Sequence, residues 1–301
     1  MTNRLGTILA AALLATTLGT ASSPIIGVQA ATRPHLTIVQ SQKAGQRIAL
    51  QNAANVRDLG GYVNRKGQAI KPHRLIRANS LATLSKSDER KLVKVYHLKT
   101  DVDLRTLAEQ KTAPDKRIKG VRYVSNPVFL KWGKASGDLN NRIKGAGVKN
   151  METFYRNAVL GKQGRKAYRT LFQILLKTPK TQAVLWHCSA GKDRAGIGTM
   201  LVLSALGFDK RTIQKDYLLS NKYLAKDNAA KLAADKKAGF NATQLANAKA
   251  QNGVQVAFLN AAYRAIDQKY GSVTNYLHKG LGLSKQDLTR LQKNYLTTPR
   301  N

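Results

Sequence analysis

Residues Trp186 to Gly196 read WHCSAGKDRAG and contain the only cysteine of the 301-residue chain. Cys188 is followed by Ser189, Ala190, Gly191, Lys192, Asp193 and Arg194. A cysteine thiolate is a strong nucleophile, and a positive setting lowers the thiol pKa from about 8.5 into the range of roughly 3.5–7.5. If Cys188 ends a strand and Arg194 begins a helix, residues 189–193 form a turn whose successive N–H groups converge on one anion, helped by the positive helix end. Gly191 permits the tight turn, Gly196 lets the helix pack closely, and the planar fork of Arg194 matches two phosphate oxygens. The thiolate then attacks phosphorus and forms a phosphocysteine that water hydrolyses. On composition alone, the competing reading is a buried, inert cysteine.

Such a loop needs a strand before it and a helix after it. Thr181–Trp186 (TQAVLW) has the pattern of a short buried strand, and Ala195–Leu206 (AGIGTMLVLSAL) is apolar nearly all round, as a buried helix is. Upstream, Ala69–Ala78 and Leu98–Leu104 predict strands, with a helix between them starting near Ser85 in a capping-box-like Ser85-Lys86-Ser87-Asp88. Val121–Val128 predicts another strand. Phe129–Asn150, basic and rich in Gly and Asn, predicts a long loop or lid. Met151–Leu176 predicts one helix, and the remainder is helical in composition, with Gly271 and Gly280 at C-cap positions and Ser284–Asp287 opening the last helix. The order gives an α/β class: a largely parallel central sheet flanked by helices, with a helical lid or insertion and a helical C-terminal part.

The N-terminus predicts a secretory signal over residues 1–30. Arg4 supplies the positive start, Ile8–Ala15 the apolar stretch and Val28-Gln29-Ala30 the small-residue cleavage site. An uncleaved anchor is the alternative, since no charge lies between Arg4 and Arg33, but Gly19, Thr20, Ser22, Ser23 and Pro24 interrupt the ~20 apolar residues that a span requires. Residues 31–45 read as a linker and 46–301 as a single domain, placing the mature protein outside the cell or on its envelope. With one cysteine there is no internal disulfide, so the core must hold the fold. The chain carries 51 Lys+Arg against 16 Asp+Glu, and without residues 1–30, which hold one base and no acid, the balance is 50 − 16 = +34. Such a field concentrates anionic partners: wall polymer, lipid head groups or phosphorylated substrates. Its bases are spread along the chain, without zinc-finger or aromatic-basic motifs, which argues against specific nucleic-acid readout.

HCSAGKDRAG resembles the phosphate loop of the secreted bacterial tyrosine phosphatases. Asn55–Tyr62 (NVRDLGGY) is similar to that family's N-terminal NFRDLGG signature. Arg74–Leu81 (RLIRANSL), Asp103-Leu104-Arg105, Asp216–Asn221 (DYLLSN) and Tyr270–Leu277 (YGSVTNYL) are similar to further family segments. The resemblance implies a tyrosine-phosphatase-like fold without cofactor or metal. It makes Cys188 the nucleophile, Arg194 the phosphate clamp and Asp193 the general acid. Ser189, Ala190, Gly191 and Lys192 then bind substrate, Lys192 favouring multiply phosphorylated ones. Asp101, Asp103 and Asp115 are alternative acids. One departure stands out: the family has Thr or Ser after the arginine, a hydroxyl that bonds the sulfur and helps it leave, and this chain has Ala195. The expectation is slow turnover, with Ser189 as a possible substitute.

The leading functional reading is an exported phosphatase acting on phosphotyrosine, with phosphoinositide or phosphoserine as further substrates. The alternative is a weakly active or non-catalytic binder of phosphorylated or anionic polymer. Four other histidines, His35, His73, His97 and His278, are scattered and suggest no metal site. His187 is expected to shape the loop. Arg57 and Asp58 are either an ion pair behind it or a solvated turn. Phe129, Trp132 and Tyr155 line a lid or belong to the core.

Overall fold

The computed structural model describes residues 44–131, 133 and 147–298, all in one compact unit. The expected signal segment, nearly all of the linker, Trp132 and most of the expected lid lie outside the described residues.

A five-stranded sheet runs in the order β1 (Arg57–Asp58), β2 (Leu75–Ala78), β5 (Ala183–His187), β3 (Leu98–Asp103), β4 (Arg122–Ser125). β1 is antiparallel to β2, and every other pairing is parallel. β5, in the middle, is buried along its whole length. Its period-two alternation sends Val184 and Trp186 into one core and Ala183 and Leu185 into the other. The larger core lies under α3 (Gly147–Leu160), α4 (Lys162–Lys177), α5 (Arg194–Ala205) and α9 (Val256–Tyr270). The smaller one is closed by α1 (Lys86–Lys94) and by Ile48, Leu50 and Val56 of the N-terminal segment. The architecture is thus α/β with a mostly parallel sheet, as the sequence indicates. α5 is buried on nearly every side, in keeping with its apolar circumference. The remaining elements are α2 (Leu107–Thr112), α6 (Lys210–Tyr223), α7 (Ala225–Lys237), α8 (Ala242–Asn252), α10 (Val273–Asn275) with its π-helical continuation Tyr276–Gly280, and α11 (Lys285–Tyr295). Among the described residues, no helix is long and apolar enough to cross a membrane.

Ser85 caps α1 in a reciprocal capping box with Asp88, and Ser284 does the same for α11 with Asp287. Several boundaries differ from expectation for physical reasons. The helix expected over 151–176 is two helices that break at Gly161, where the backbone is extended. A side chain on Gly164 would sit 1.9 Å from the carbonyl oxygen of Ala158, so only glycine lets α4 leave α3 at this angle. The strand expected from Ala69 starts only at Leu75. Pro72 has no N–H to give a ladder and His73 is left-handed (φ 56°), and the chain before them bridges to Val63 and Leu296 instead. Gly271 ends α9 in the left-handed conformation, as expected. Gly280 does not: the left-handed residue is Gly282 (φ 72°), and Gly280 is small because a Cβ would meet the Tyr276 ring at 2.7 Å.

Candidate active site

Three parallel strands end level with one another: Ala78 of β2 and Asp103 of β3 are both in register with His187 of β5. Ligands of open α/β sheets bind beyond such carboxyl ends. The loop Cys188–Asp193 leaves β5 there and enters α5 at Arg194. Its carbonyls are tied from behind, one after another. The Ser80 N–H donates to Ser189 O (3.1 Å), Asn55 Nδ2 to Ala190 O (2.8 Å) and Arg77 Nη2 to Gly191 O (2.7 Å). The N–H groups of residues 189–193 donate to no acceptor among the described residues. A run of N–H groups left undirected while the carbonyls are fixed is the arrangement of an anion nest. Gly191 takes φ 70°, and a Cβ on it would lie 2.4 Å from Ala78 O, so conformation and proximity both demand glycine. Cys188 lies in the floor, 2% exposed.

Behind the loop, two buried guanidinium groups share one buried carboxylate. Arg57 Nε donates to Asp216 Oδ1 (3.2 Å) and its Nη2 to Asp216 O (3.1 Å), while Arg77 Nη1 donates to Asp216 Oδ2 (2.6 Å). Arg57 Nη1 also holds the Oδ1 of Asn55, whose Nδ2 grips the loop. Burial would raise the Asp216 pKa, but Arg57 and Arg77 outweigh it and hold the carboxyl below its usual value. One surplus positive charge therefore lies buried behind the anion nest. Arg57 does buttress the loop, but its partner is Asp216. Asp58 instead accepts from the N–H groups of Gly60 (2.9 Å) and His73 (2.8 Å).

His187 is fully buried beside the nucleophile loop. Its Nε2 lies 3.1 Å from Asp115 Oδ2, 3.3 Å from Asp101 Oδ1 and 3.8 Å from Asp103 Oδ1. Burial opposes its charge, yet Asp101, Asp115 and Asp103 prevail and raise its pKa well above the ordinary histidine value. Arg105 closes the cluster, with Nη2 2.7 Å from both Asp103 and Asp115 and Nη1 on Ser80 Oγ (3.1 Å). The three alternative acids thus support His187 and Arg105 inside the protein and do not face a substrate. The ligand-type atoms of Asp101, Asp115 and His187 also lie within 4.8 Å of one another, a grouping that the scattered sequence positions concealed.

Arg194 meets a residue that sequence reasoning missed. Its Nη1 donates to Glu109 Oε2 (2.6 Å) and its Nη2 to Glu109 Oε1 (2.9 Å), a bidentate pair. Ser189 Oγ donates to the same carboxylate and accepts from Arg194 Nη2 (3.1 Å). Burial would raise the Glu109 pKa. The hydrogen bonds and charge of Arg194, with Ser189 and Thr106, instead bring it down to about 2. The visible signal is Thr106-x-x-Glu109, a capping box at the start of α2, but a cap says nothing of what else its carboxylate touches. Ser189 is therefore committed to Glu109 and Arg194, and not to the sulfur. Ala195 is fully buried, and the nearby hydroxyls go to backbone carbonyls: Tyr168 to Arg194 O (3.1 Å) and Thr199 to Ala195 O (2.8 Å).

Asp193 stands at the end of the loop, its side chain 15% exposed. Lys192 Nζ donates to its Oδ2 (2.8 Å) and Tyr155 Oη to its Oδ1 (2.7 Å). Tyr155 is wholly buried, so it belongs beneath the site and not to a lid. Phe129 is core as well, its ring 5.0 Å from that of Phe154. Gly196 gives way to two parts of the support: a Cβ there would sit 3.2 Å from the Tyr217 ring and 3.3 Å from Arg77 Nη2.

A buried thiol in an anion nest, with an arginine fork and a carboxylate at its rim, is equipped for phosphate transfer, and the relatives agree. A protein of Cupriavidus necator that bears the name of a tyrosine-protein phosphatase is 31% identical over 266 residues, 87% of this chain and 93% of its own. The triple specificity protein phosphatase PtpB of Mycobacterium tuberculosis is 31% identical over 170 residues, 52% of this chain and 58% of its own. A tyrosine-protein phosphatase of Nostoc commune is 28% identical over 235 residues, 75% of this chain and 76% of its own. The model of the tyrosine phosphatase family matches residues 48–297, which takes in every described strand and helix. The chain belongs to that family and is a protein-tyrosine phosphatase.

Proposed function

We propose that this phosphatase is exported and hydrolyses phosphotyrosine through a phosphocysteine intermediate, with Cys188 as nucleophile, Arg194 as phosphate clamp and Asp193 as acid and base. The nest of undirected N–H groups around Cys188 carries the reading, because it is suited to hold a phosphoryl group beside the sulfur. In the first step an S–P bond forms, the P–O bond to the tyrosyl oxygen breaks, and the Asp193 proton passes to that oxygen. In the second, water attacks phosphorus, its proton goes to Asp193, and the S–P bond breaks to restore the thiolate. Lys192, buried in the loop with its ammonium on Asp193, adds positive charge that favours substrates carrying a second phosphate, which extends the reading to phosphoinositides. The signal-like start and the basic balance of the chain support export and retention on the anionic envelope.

The test is a panel of phosphotyrosine peptide, phosphoserine peptide and phosphoinositide, under reducing conditions, with Cys188→Ser as blank. Release from the phosphotyrosine peptide that vanishes in Cys188→Ser is expected. Release that persists in Cys188→Ser would overturn the mechanism. The weakly active reading rests on Ala195 and predicts binding with slow release.

A further inference from the structure

Asp193 is held by a chain of phenols that the reaction itself does not require. Tyr155 Oη lies 2.7 Å from Asp193 Oδ1 and 2.6 Å from Tyr217 Oη. A phenol has one proton to give. Tyr155 gives its proton to the carboxyl group, so the Tyr217 hydroxyl must donate to Tyr155. The direction is Tyr217 to Tyr155 to Asp193. Both phenols are buried, from α3 and α6 respectively, and their rings meet edge to face at 6.2 Å, which locks the hydroxyl positions. Gly196 leaves room for the Tyr217 ring, so the helix that carries Arg194 is shaped around the same pair.

We propose that Tyr155, oriented by Tyr217, is a positioning residue for general acid catalysis: it holds Asp193 Oδ1 while Lys192 Nζ holds Oδ2, so that the carboxyl group is fixed in one orientation toward the leaving oxygen. The inference rests on the assignment of Asp193 as the acid. Neither phenol is itself the acid. Burial first, and the Asp193 charge second, push both phenol pKa values well above the ordinary one, so each keeps its proton throughout the cycle. Their part is to fix the carboxyl group in place and to accommodate the charge left when its proton departs, since a hydrogen bond to a charged group is stronger than one to a neutral group.

A leaving-group series tests this. An activated nitrophenyl phosphate leaves without a proton, whereas a tyrosine-like phenyl phosphate needs one. kcat/KM reports the first chemical step. Asp193→Asn is expected to lower kcat/KM on phenyl phosphate by about 100-fold and to leave nitrophenyl phosphate within a few-fold, the range that general acid catalysis supplies. Tyr155→Phe keeps ring and packing. In kcat/KM it should show the same discrimination at roughly 10-fold, and Tyr217→Phe a smaller effect in the same direction. If Asp193→Asn fails to discriminate between the esters, the acid assignment is wrong. If it discriminates while both phenol variants slow the two esters equally, or not at all, the positioning role is wrong and the phenols only pack. Vanadate binding at the wild-type level certifies the fold of each variant.

Discussion

At the residue scale the site is a set of commitments already made before substrate arrives. Arg194 is held by Glu109, so a phosphate meets a fork that is already oriented. Glu109→Ala removes that orientation, and kcat/KM is expected to fall at least 10-fold, from the loss of a bidentate charged pair. The pair also has a pH signature. The Glu109 pKa falls from 4.5 to about 2 on folding, so its contribution to stability is complete above pH 4.5 and lost as the pH drops through about 2. Acid titration of the denaturation midpoint should show the wild type losing stability in that window and Glu109→Ala losing less. Ala195 sets a different limit. With Ser189, Tyr168 and Thr199 all bonded elsewhere, no hydroxyl among the described residues replaces the one expected after the arginine. Ala195→Thr should raise kcat, and rapid quenching should trap more phosphocysteine in the wild type than in the variant. An unchanged kcat in a folded variant would mean that sulfur departure does not limit turnover.

At the element scale, β5, its loop and α5 do the positioning, and β1, β2 and α6 lock them in place. Asp216 of α6 is the lock, because its one carboxylate bridges two buried arginines from the neighbouring strands. Asp216→Asn leaves those charges facing each other in the interior. About 3–5 kcal/mol of stability should be lost, read as a lower denaturant midpoint, with activity falling in parallel. The same contrast explains what the sequence discloses. Cys188 to Arg194 is contiguous, so its residue types, spacing and flanking apolar runs are readable together. Asp216 and Tyr155 also lie in recognisable helices, but they reach the loop only through folding, from 139 residues beyond Arg77 and 38 before Asp193. Glu109 is harder still: α2 has six residues and no buried one, so no hydrophobic period announces it. The two-residue β1 exists by pairing with β2 and not by any propensity of its own.

At the scale of the whole molecule, the charge balance of +35 is carried without compensating acids, and 16 acidic residues leave few to spare. Several of them are buried around the site, at Asp101, Asp103, Asp115 and Asp216. Buried bases such as Arg57, Arg77, Arg105 and Arg194 match them, so nearly all of the net positive charge is carried at the surface. Binding of the whole protein to anionic envelope preparations is expected to vanish between 0.15 M and 1 M salt, as the screening length shortens from about 8 Å to about 3 Å. Retention that ignores salt would point to a different attachment. The proposed export has its own check: the protein should be found in the culture medium or envelope fraction, and mass spectrometry of it should find the N-terminus at Ala31.

The carbonyl ties of the loop reach to Asn55, Arg77 and Ser80, and its rim to Glu109 and Tyr155. Nothing local builds this catalyst. A chain that is incomplete or not yet folded has its nucleophile but no cradle, and so is silent toward the phosphoproteins around it. Enzymatic power then arrives with the last cooperative folding step. In refolding from denaturant, activity should return with the final phase of tertiary structure and never ahead of it.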